Sequence, residues 1–172
     1  MTEGCANPWL YVLAGGLVVG TLDITYACVF WGIKASVPPE QIFQSVAAGL
    51  LGKASFDGGA ATAALGLGLH YFIATSMSVT YYLVASRWAR LWQRPFEYGA
   101  AYGLLLYLIM NKIVVPLSRA GGGGGHKITL WVALSVLVHV FLIGVPIALF
   151  TRRARSELSA GASRSPFQES SR

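Results

Sequence analysis

Apolar residues in this chain form four long runs that are separated by shorter polar segments. Each run carries at most one or two strongly polar side chains and is about 20 residues or longer, the length that an α-helix needs to cross a hydrocarbon core of about 30 Å. A buried helix of a soluble protein is the alternative for any single run, but four such runs in one chain favour a membrane protein. The four predicted spans are residues 9–33, 60–85, 98–117 and 129–151.

The segment between the first two runs has a helical pattern but is too short to cross a membrane. Pro39 suits the first position of a helix, and Glu40 suits its positive end. At about 14 residues, the segment is expected to form an amphipathic helix over 39–52, either lying on the outer membrane surface or packed on top of the bundle. Its apolar residues recur at helical spacing: Ile42, Phe43, Val46, Leu50 and Leu51.

Together these patterns predict an all-α integral membrane protein, with four transmembrane helices and a short amphipathic helix between the first and second. An N-terminal segment, 1–8, precedes the four-span domain, 9–151. The tail, 152–172, is polar and rich in serine, so we expect it to be disordered in the cytoplasm. Five consecutive glycines, Gly121–Gly125, indicate a flexible spacer before the fourth span.

The composition agrees with a membrane location. The chain has 172 residues, of which 55% are hydrophobic and 12% are charged, whereas soluble domains carry about 25% charged residues. A soluble domain of this size leaves much of its surface in water and has no place for so much apolar surface. Lipid must therefore form part of the solvent around the protein.

The net charge of +6 indicates membrane topology and not a nucleic-acid partner. Most basic residues flank the predicted spans, where they act as topology signals. Six lie near the side that the two termini share and four lie on the opposite side, so both termini are expected in the cytoplasm. The six are Arg87, Arg90, Arg94, Arg152, Arg153 and Arg155, and the four are Lys34, Lys53, Arg119 and Lys127.

Each span carries one polar side chain at a similar depth. With a helical rise of about 1.5 Å per residue, Asp23, His70, Asn111 and His139 all fall at or just beyond the midplane of the membrane. Polar residues at this depth are costly and usually face the interior of the bundle. We therefore predict a buried polar layer as the candidate site. Lys112 either extends towards the outer surface or pairs with Asp23.

Two interpretations of this layer stay open. The side chains form a functional site, or they form hydrogen bonds that hold the helices together. One interhelical hydrogen bond in a membrane contributes only about 0.6 kcal/mol on average. This stabilisation is small compared with the cost of placing four polar residues within the membrane.

Small residues and prolines predict how the spans pack and where they bend. Gly16 and Gly20 form a G-x-x-x-G motif in the first span, and Gly99 and Gly103 form another in the third. Such motifs let two helices approach closely. Two prolines, Pro116 and Pro146, are expected to kink or end their helices.

The stretch from 20 to about 118 resembles a family of small, uncharacterised bacterial four-helix inner-membrane proteins. Four segments carry the resemblance: G-T-L-D-I-T-Y-A, I-F-Q-S-V-A-A-G-L-L-G-K-A-S-F, G-G-A-A-T-A-A-L-G-L-G-L-H-Y-F-I-A and Y-L-I-M-N-K-I-V-V-P-L-S. The resemblance implies a four-span protein of the bacterial inner membrane. It supplies no catalytic or binding residue.

A non-enzymatic membrane module is the first functional hypothesis. The chain has no nucleophile–base set and no metalloprotease or nucleotide-binding motif, so we expect no catalytic residues, no metal and no cofactor. Its expected partners are the lipid bilayer and, through the glycine faces, a second copy of the chain or another membrane protein.

Two alternatives use the polar layer. Asp23 and the histidines would serve as a relay in a small-solute or proton-linked transport component, since histidine exchanges protons near neutral pH. Four spans are few for a transporter, so this hypothesis requires oligomers. Alternatively, His70 and His139 would be the two axial ligands of a haem, although no C-x-x-C-H motif is present. A zinc site with Asp23, His70 and His139 is chemically allowed, but no characteristic spacing supports it.

Overall fold

A computed structural model describes residues 7–120 and 130–163, and all regular elements in these ranges are helices. The first five helices are α1 (Pro8–Ala35), α2 (Pro39–Leu51), α3 (Gly59–Arg87), α4 (Arg90–Gln93) and α5 (Pro95–Leu117). A 3₁₀ turn, Gly52–Asp57, joins α2 to α3. The last helix, α6, comprises Leu130–Val138, a π-helical turn at His139–Gly144 and Val145–Ser163.

Four of these helices, α1, α3, α5 and α6, are long and apolar enough to cross a membrane. The prediction of an all-α, multi-pass membrane protein with a short helix after the first span is confirmed. Large apolar side chains cover the outside of the bundle, which suits a lipid environment. Examples are Leu10, Ile33, Phe72, Leu104, Leu117 and Phe141.

The sequence fixes where several helices begin. Asn7 caps α1, because its side-chain oxygen accepts a hydrogen bond from the Trp9 backbone N–H at 3.0 Å. Proline occupies the first turn of α1, α2 and α5, where its missing N–H has no helical partner to lose. The helix bounds lie within a few residues of the predicted spans, except at the end of α6.

The spans form an incomplete ring. Helix α1 packs against α3 and α6, and α5 packs against α6, whereas the backbones of α3 and α5 stay apart. These two helices meet through Tyr102, whose hydroxyl donates to the Met77 carbonyl at 2.9 Å and whose ring packs against Tyr81. An apolar groove of about 750 Å³ lies between the two helices. We call the end of the bundle that carries α2 the α2 end, and the opposite end, which carries α4, the α4 end.

The first glycine motif lies at the crossing of α1 and α3. A Cβ atom added to Gly16 would lie 2.6 Å from the Cα of Thr75, and one added to Gly20 would lie 2.9 Å from the ring of Tyr71. Neither distance leaves room for a side chain. The motif therefore packs two helices of the same chain against each other.

The second glycine motif lies at the crossing of α5 and α6. A Cβ atom on Gly99 would lie 2.9 Å from the Gly144 carbonyl oxygen, and one on Gly103 would overlap the His139 carbonyl. Gly144, which the sequence analysis did not single out, faces both residues from α6. The two backbones thus meet at a contact made by three glycines.

Helix α2 packs on the bundle, which selects one of the two predicted positions. It lies against α3, where Gly66 has no side chain and the Phe43 backbone occupies the space. The buried Gln44 donates a hydrogen bond to the Gly59 carbonyl at 3.1 Å. The Arg119 N–H donates to the Gly49 carbonyl at 3.0 Å, which ties α2 to the end of α5.

Each of the two prolines within spans follows a π-helical turn. The Val115 N–H bonds to the Met110 carbonyl, and the Val145 N–H bonds to the Val140 carbonyl, five residues back in each case. A proline has no N–H for the carbonyl four residues earlier, and its ring needs space there. The wider turn provides that space. Helix α5 ends at Leu117, one residue after Pro116, as predicted, whereas α6 continues beyond Pro146 to Ser163.

The prediction of a disordered tail is wrong for residues 152–163, because α6 continues to Ser163. Ala154 is fully buried in a cluster with Val12 and Tyr82. This contact extends the apolar face of α6 beyond the membrane span. The serine-rich composition of the tail gives no indication of it. Residues 164–172, and the glycine spacer with its neighbours at 121–129, lie outside the described residues.

We predict that Gly66→Ala destabilises the protein and that Gly68→Ala does not. The added methyl group at Gly66 would overlap the Phe43 backbone, whereas Gly68, two residues away on the same helix, has no atom within 4 Å of an added Cβ. Overpacking typically costs about 1–3 kcal/mol, and each kcal/mol lowers the unfolding temperature by about 2–4 °C in a protein of this size. Thermal unfolding of both variants in detergent measures the difference. Equal unfolding temperatures would contradict the packing of α2 on α3.

Candidate functional site

A cavity of about 580 Å³ lies between the four spans near the α2 end. Its walls include Asp23 from α1, His70 from α3, Asn111 from α5 and His139 from α6. The structure thus brings together the four polar residues that the depth estimate grouped into one layer. Lys112 is exposed and does not line the cavity.

The cavity is closed towards the α4 end. Val19, Ala74 and Ile143 line it and also belong to the main hydrophobic core, which fills the bundle from there to the α4 end. At the opposite end, Gln41 and Ser45 of α2 form part of the wall. The bundle is therefore packed in one half and hollow in the other.

The two π turns lie at the level of the cavity. Asn111 belongs to the π turn of α5, and His139 is the first residue of the π turn of α6. Such turns are rare and occur frequently at functional sites. The prolines that follow them, Pro116 and Pro146, therefore influence how two of the four polar side chains are presented.

Both histidines donate one hydrogen bond to a backbone carbonyl. His70 Nε2 lies 2.8 Å from the Gly20 carbonyl oxygen on α1, and His139 Nδ1 lies 2.8 Å from the Ser135 carbonyl oxygen, one turn earlier on α6. A carbonyl oxygen only accepts, so these two ring nitrogens carry hydrogen. The second nitrogen of each ring has no hydrogen-bond partner among the described residues.

Asn111 and Asp23 complete the polar layer. The amide nitrogen of Asn111 donates to the Tyr107 carbonyl at 2.9 Å, which leaves its amide oxygen free. The Asp23 carboxylate forms neither a hydrogen bond nor an ion pair with any residue that the structure describes. Within the same ranges, the salt bridge found is Arg94–Glu97, which is exposed and does not line the cavity.

Two buried hydroxyl groups on the cavity wall lack hydrogen bonds. Tyr26 and Ser135 lie near each other on α1 and α6, but neither hydroxyl meets hydrogen-bond geometry with a described residue. Ser135 is only 6% exposed. A buried polar group without a partner typically costs about 1–3 kcal/mol. Ser55 and Thr151, which do not line the cavity, also lack partners among the residues that the structure describes, so this feature alone does not mark a ligand site. Tyr26 and Ser135 nevertheless add two hydroxyl groups to the polar part of the cavity wall.

Aromatic rings join α1 to α6 beside the polar layer. The rings of Tyr26 and Trp131 are almost parallel, with centroids 5.7 Å apart, and Phe30 and Trp31 pack against Trp131 at 4.2 and 4.9 Å. Trp31 and Trp131 both line the cavity.

Several wall residues were not among the predicted site residues. Tyr26 follows Asp23 by three positions, and Ser135 precedes His139 by four, so helical spacing places each on the face of a polar residue. This spacing would have allowed Tyr26 and Ser135 to be predicted from the sequence. Gln41 and Ser45 gave no such signal, because the sequence does not show where α2 packs.

The two histidines leave different ring nitrogens without hydrogen, Nε2 in His139 and Nδ1 in His70. An axial ligand presents an unprotonated nitrogen to the iron, so a haem held by both histidines would use a different nitrogen of each ring. Among the described residues, no three His, Cys, Asp or Glu side chains cluster closely enough to hold a metal ion.

Comparisons with protein-family models, with curated proteins and with solved structures give no significant match to this chain. Functional inference therefore rests on the residues and geometry of the chain itself.

We predict that two buried serines respond differently to replacement by alanine. The Ser78 hydroxyl donates to the Val12 carbonyl at 2.8 Å, so Ser78→Ala should lose about 1 kcal/mol of stability. Ser135→Ala removes a hydroxyl without a partner and should leave the unfolding temperature unchanged or higher. Thermal unfolding in detergent compares the two variants. An equal loss in both would identify Ser135 as a structural residue.

Proposed function

We propose that this chain is a non-enzymatic membrane module that binds a small solute in the cavity between its spans, and that the polar side chains of the cavity relay protons. The single observation that carries the proposal is the hollow polar layer. One polar residue from each span lines the same cavity, whose volume lies within the range of about 300–1,000 Å³ that is typical of small-molecule sites.

The hydrogen bonds favour a site over a structural clasp. In a clasp, polar side chains of different spans would bond to one another. Here His139 and Asn111 bond to carbonyls of their own helices, and only His70 reaches another span, at Gly20. No pair among the four polar side chains forms a hydrogen bond within the described residues. This pattern supports a site for Asp23, Asn111 and His139, while His70 also links α3 to α1.

Proton exchange follows from the types of residue in the layer. A carboxylate within a membrane span is costly and commonly marks a substrate path or a proton relay. Histidine is the side chain that exchanges protons near neutral pH. Asp23, His70 and His139 line one cavity, so a single solute bound there would contact groups that gain and lose protons.

A partner that docks on the predicted glycine motifs is less well supported. Gly16 and Gly20 are covered by α3, and Gly99 and Gly103 are covered by α6. The two glycine faces that were predicted to bind a second copy are therefore already covered by helices of the same chain. Passage of a solute across the membrane would instead require the core at the α4 end to open.

The orientation that we propose places the α4 end and both termini in the cytoplasm of a bacterial cell, with the cavity towards the opposite side of the inner membrane. The support is the charge distribution. Six arginines flank the spans at the α4 end, and three described basic residues, Lys34, Lys53 and Arg119, lie at the α2 end.

Reporter fusions test this orientation. We expect a fluorescent protein fused after Arg172 to fluoresce, because it would fold in the cytoplasm, and alkaline phosphatase fused after Lys53 to be active, because it would be exported. The opposite pairings serve as controls. Alkaline phosphatase fused after Arg90 should be inactive, and the fluorescent protein fused after Lys53 should not fluoresce. The reverse pattern of activities would contradict the orientation but not the cavity.

Proton movement in liposomes tests the function. We expect the wild-type protein to dissipate an imposed pH gradient, measured with an entrapped pH-sensitive dye, and Asp23→Asn to reduce the rate to that of protein-free liposomes. Asn keeps the size of the side chain and removes its charge. His70→Ala should also reduce the rate. Lys112→Gln is the matched control, since Lys112 lies beside Asn111 but outside the cavity. Flux that is unchanged in Asp23→Asn would rule out the relay.

A further inference from the structure

We propose that the solute is an organic cation, specifically a protonated amine with an apolar substituent, and that Asp23 is its counter-ion. This inference rests on the proposed function, because it names the ligand class of the same cavity.

The charge of the cavity wall is the first reason. Among the lining residues that the structure describes, Asp23 is the one carboxylate, and none is a lysine or an arginine. The nearby Lys112 is exposed, and Asp23 has no ion-pair partner within the described ranges. A carboxylate at this depth is stabilised by a positive partner. An anionic ligand would meet only repulsion from it.

The free hydrogen-bonding groups are the second reason. His70 and His139 each use their one N–H on a backbone carbonyl, and Asn111 uses one of its two N–H groups in the same way. The acceptor positions that remain on these side chains are Nδ1 of His70, Nε2 of His139 and Oδ1 of Asn111. In neutral side chains all three are acceptors. Together with the carboxylate, they suit a ligand that carries several N–H donors, as a protonated amine does.

The aromatic content of the wall is the third reason. Five aromatic side chains line the cavity: Tyr26, Trp31, Phe56, Tyr107 and Trp131. The faces of aromatic rings attract cations, with tryptophan the strongest. The same rings, with the aliphatic residues of the wall, would accommodate an apolar substituent. A bare metal ion fits this wall poorly, because no cluster of three ligating side chains occurs in the described ranges.

The Ser135 hydroxyl is a further polar group on the cavity wall. Ser135 is more than nine-tenths buried and lines the cavity. It lies one turn before His139 on α6. A hydroxyl accepts as readily as it donates, so it adds a further acceptor for an N–H group.

A set of three probes of the same size tests the inference on the purified, full-length protein in detergent. Benzylamine is cationic at neutral pH, benzyl alcohol is neutral and benzoate is anionic. Binding is followed by tryptophan fluorescence, since Trp31 and Trp131 line the cavity, and by the rise in unfolding temperature. We expect saturable binding of benzylamine, weaker binding of benzyl alcohol and no binding of benzoate. Benzoate binding as tightly as benzylamine would overturn the inference, and this comparison needs no variant.

Two carboxylate variants then locate the site. Asp23→Asn should weaken benzylamine binding about tenfold to a hundredfold, the usual effect of losing a charge-assisted hydrogen bond of about 1.5–3 kcal/mol. Glu97→Gln removes an exposed carboxylate that is paired with Arg94 and should leave binding unchanged. Equal binding by wild type and Asp23→Asn would overturn the inference.

The two proposals fail in different ways. If benzylamine binds in an Asp23-dependent manner but the liposomes show no Asp23-dependent proton flux, the ligand class stands and proton coupling is wrong. If the flux depends on Asp23 but none of the probes binds, proton coupling stands and the ligand class is wrong.

Discussion

The hydrocarbon core of a membrane offers no hydrogen-bond partners, and this constraint governs the arrangement of the whole bundle. Polar side chains within a span must face protein or an enclosed polar space. Each of the four spans carries one such side chain at a similar depth, and all four turn towards the same interior space. Apolar residues cover the opposite faces, where lipid is the solvent.

Glycine contacts explain why this interior space stays hollow. They draw α1 onto α3, and α5 onto α6, until the backbones touch. No comparable contact joins α3 to α5. The ring therefore stays open on one side, and its interior is filled with side chains only towards the α4 end. Helix α2, which packs against α3 at Gly66, completes the wall at the other end.

Much of this fold could be predicted because the membrane fixes helix length and polar depth. The span bounds followed from runs of apolar residues, and the grouping of Asp23 with His70 followed from counting residues along helices. The sequence does not reveal whether polar side chains at one depth touch each other or surround a cavity, because that depends on contacts between helices. The packing of α2 was equally out of reach, since one amphipathic pattern suits both a lipid surface and a bundle.

Other differences have local causes. Pro116 and Pro146 were expected to kink or end their helices. Helix α5 does end one residue after Pro116, whereas α6 continues beyond Pro146. Each proline follows a π turn, which the sequence analysis did not predict. The extension of α6 depends on the contact of Ala154 with Val12, two residues that are far apart in sequence. Composition alone favoured disorder there, because it does not register a single buried contact.

The central claim is that the polar residues surround a space that water and small molecules enter. Cysteine labelling tests it most directly, in a background in which Cys5 and Cys28 are replaced by serine. His139→Cys lines the cavity, whereas Leu137→Cys lies on the exposed apolar face of the same helix. The account predicts that a small, water-soluble thiol reagent labels the cysteine at 139 much faster than the cysteine at 137 in liposomes. Equally slow labelling at both positions would contradict it, because the spans would then close on one another and the polar layer would be a clasp.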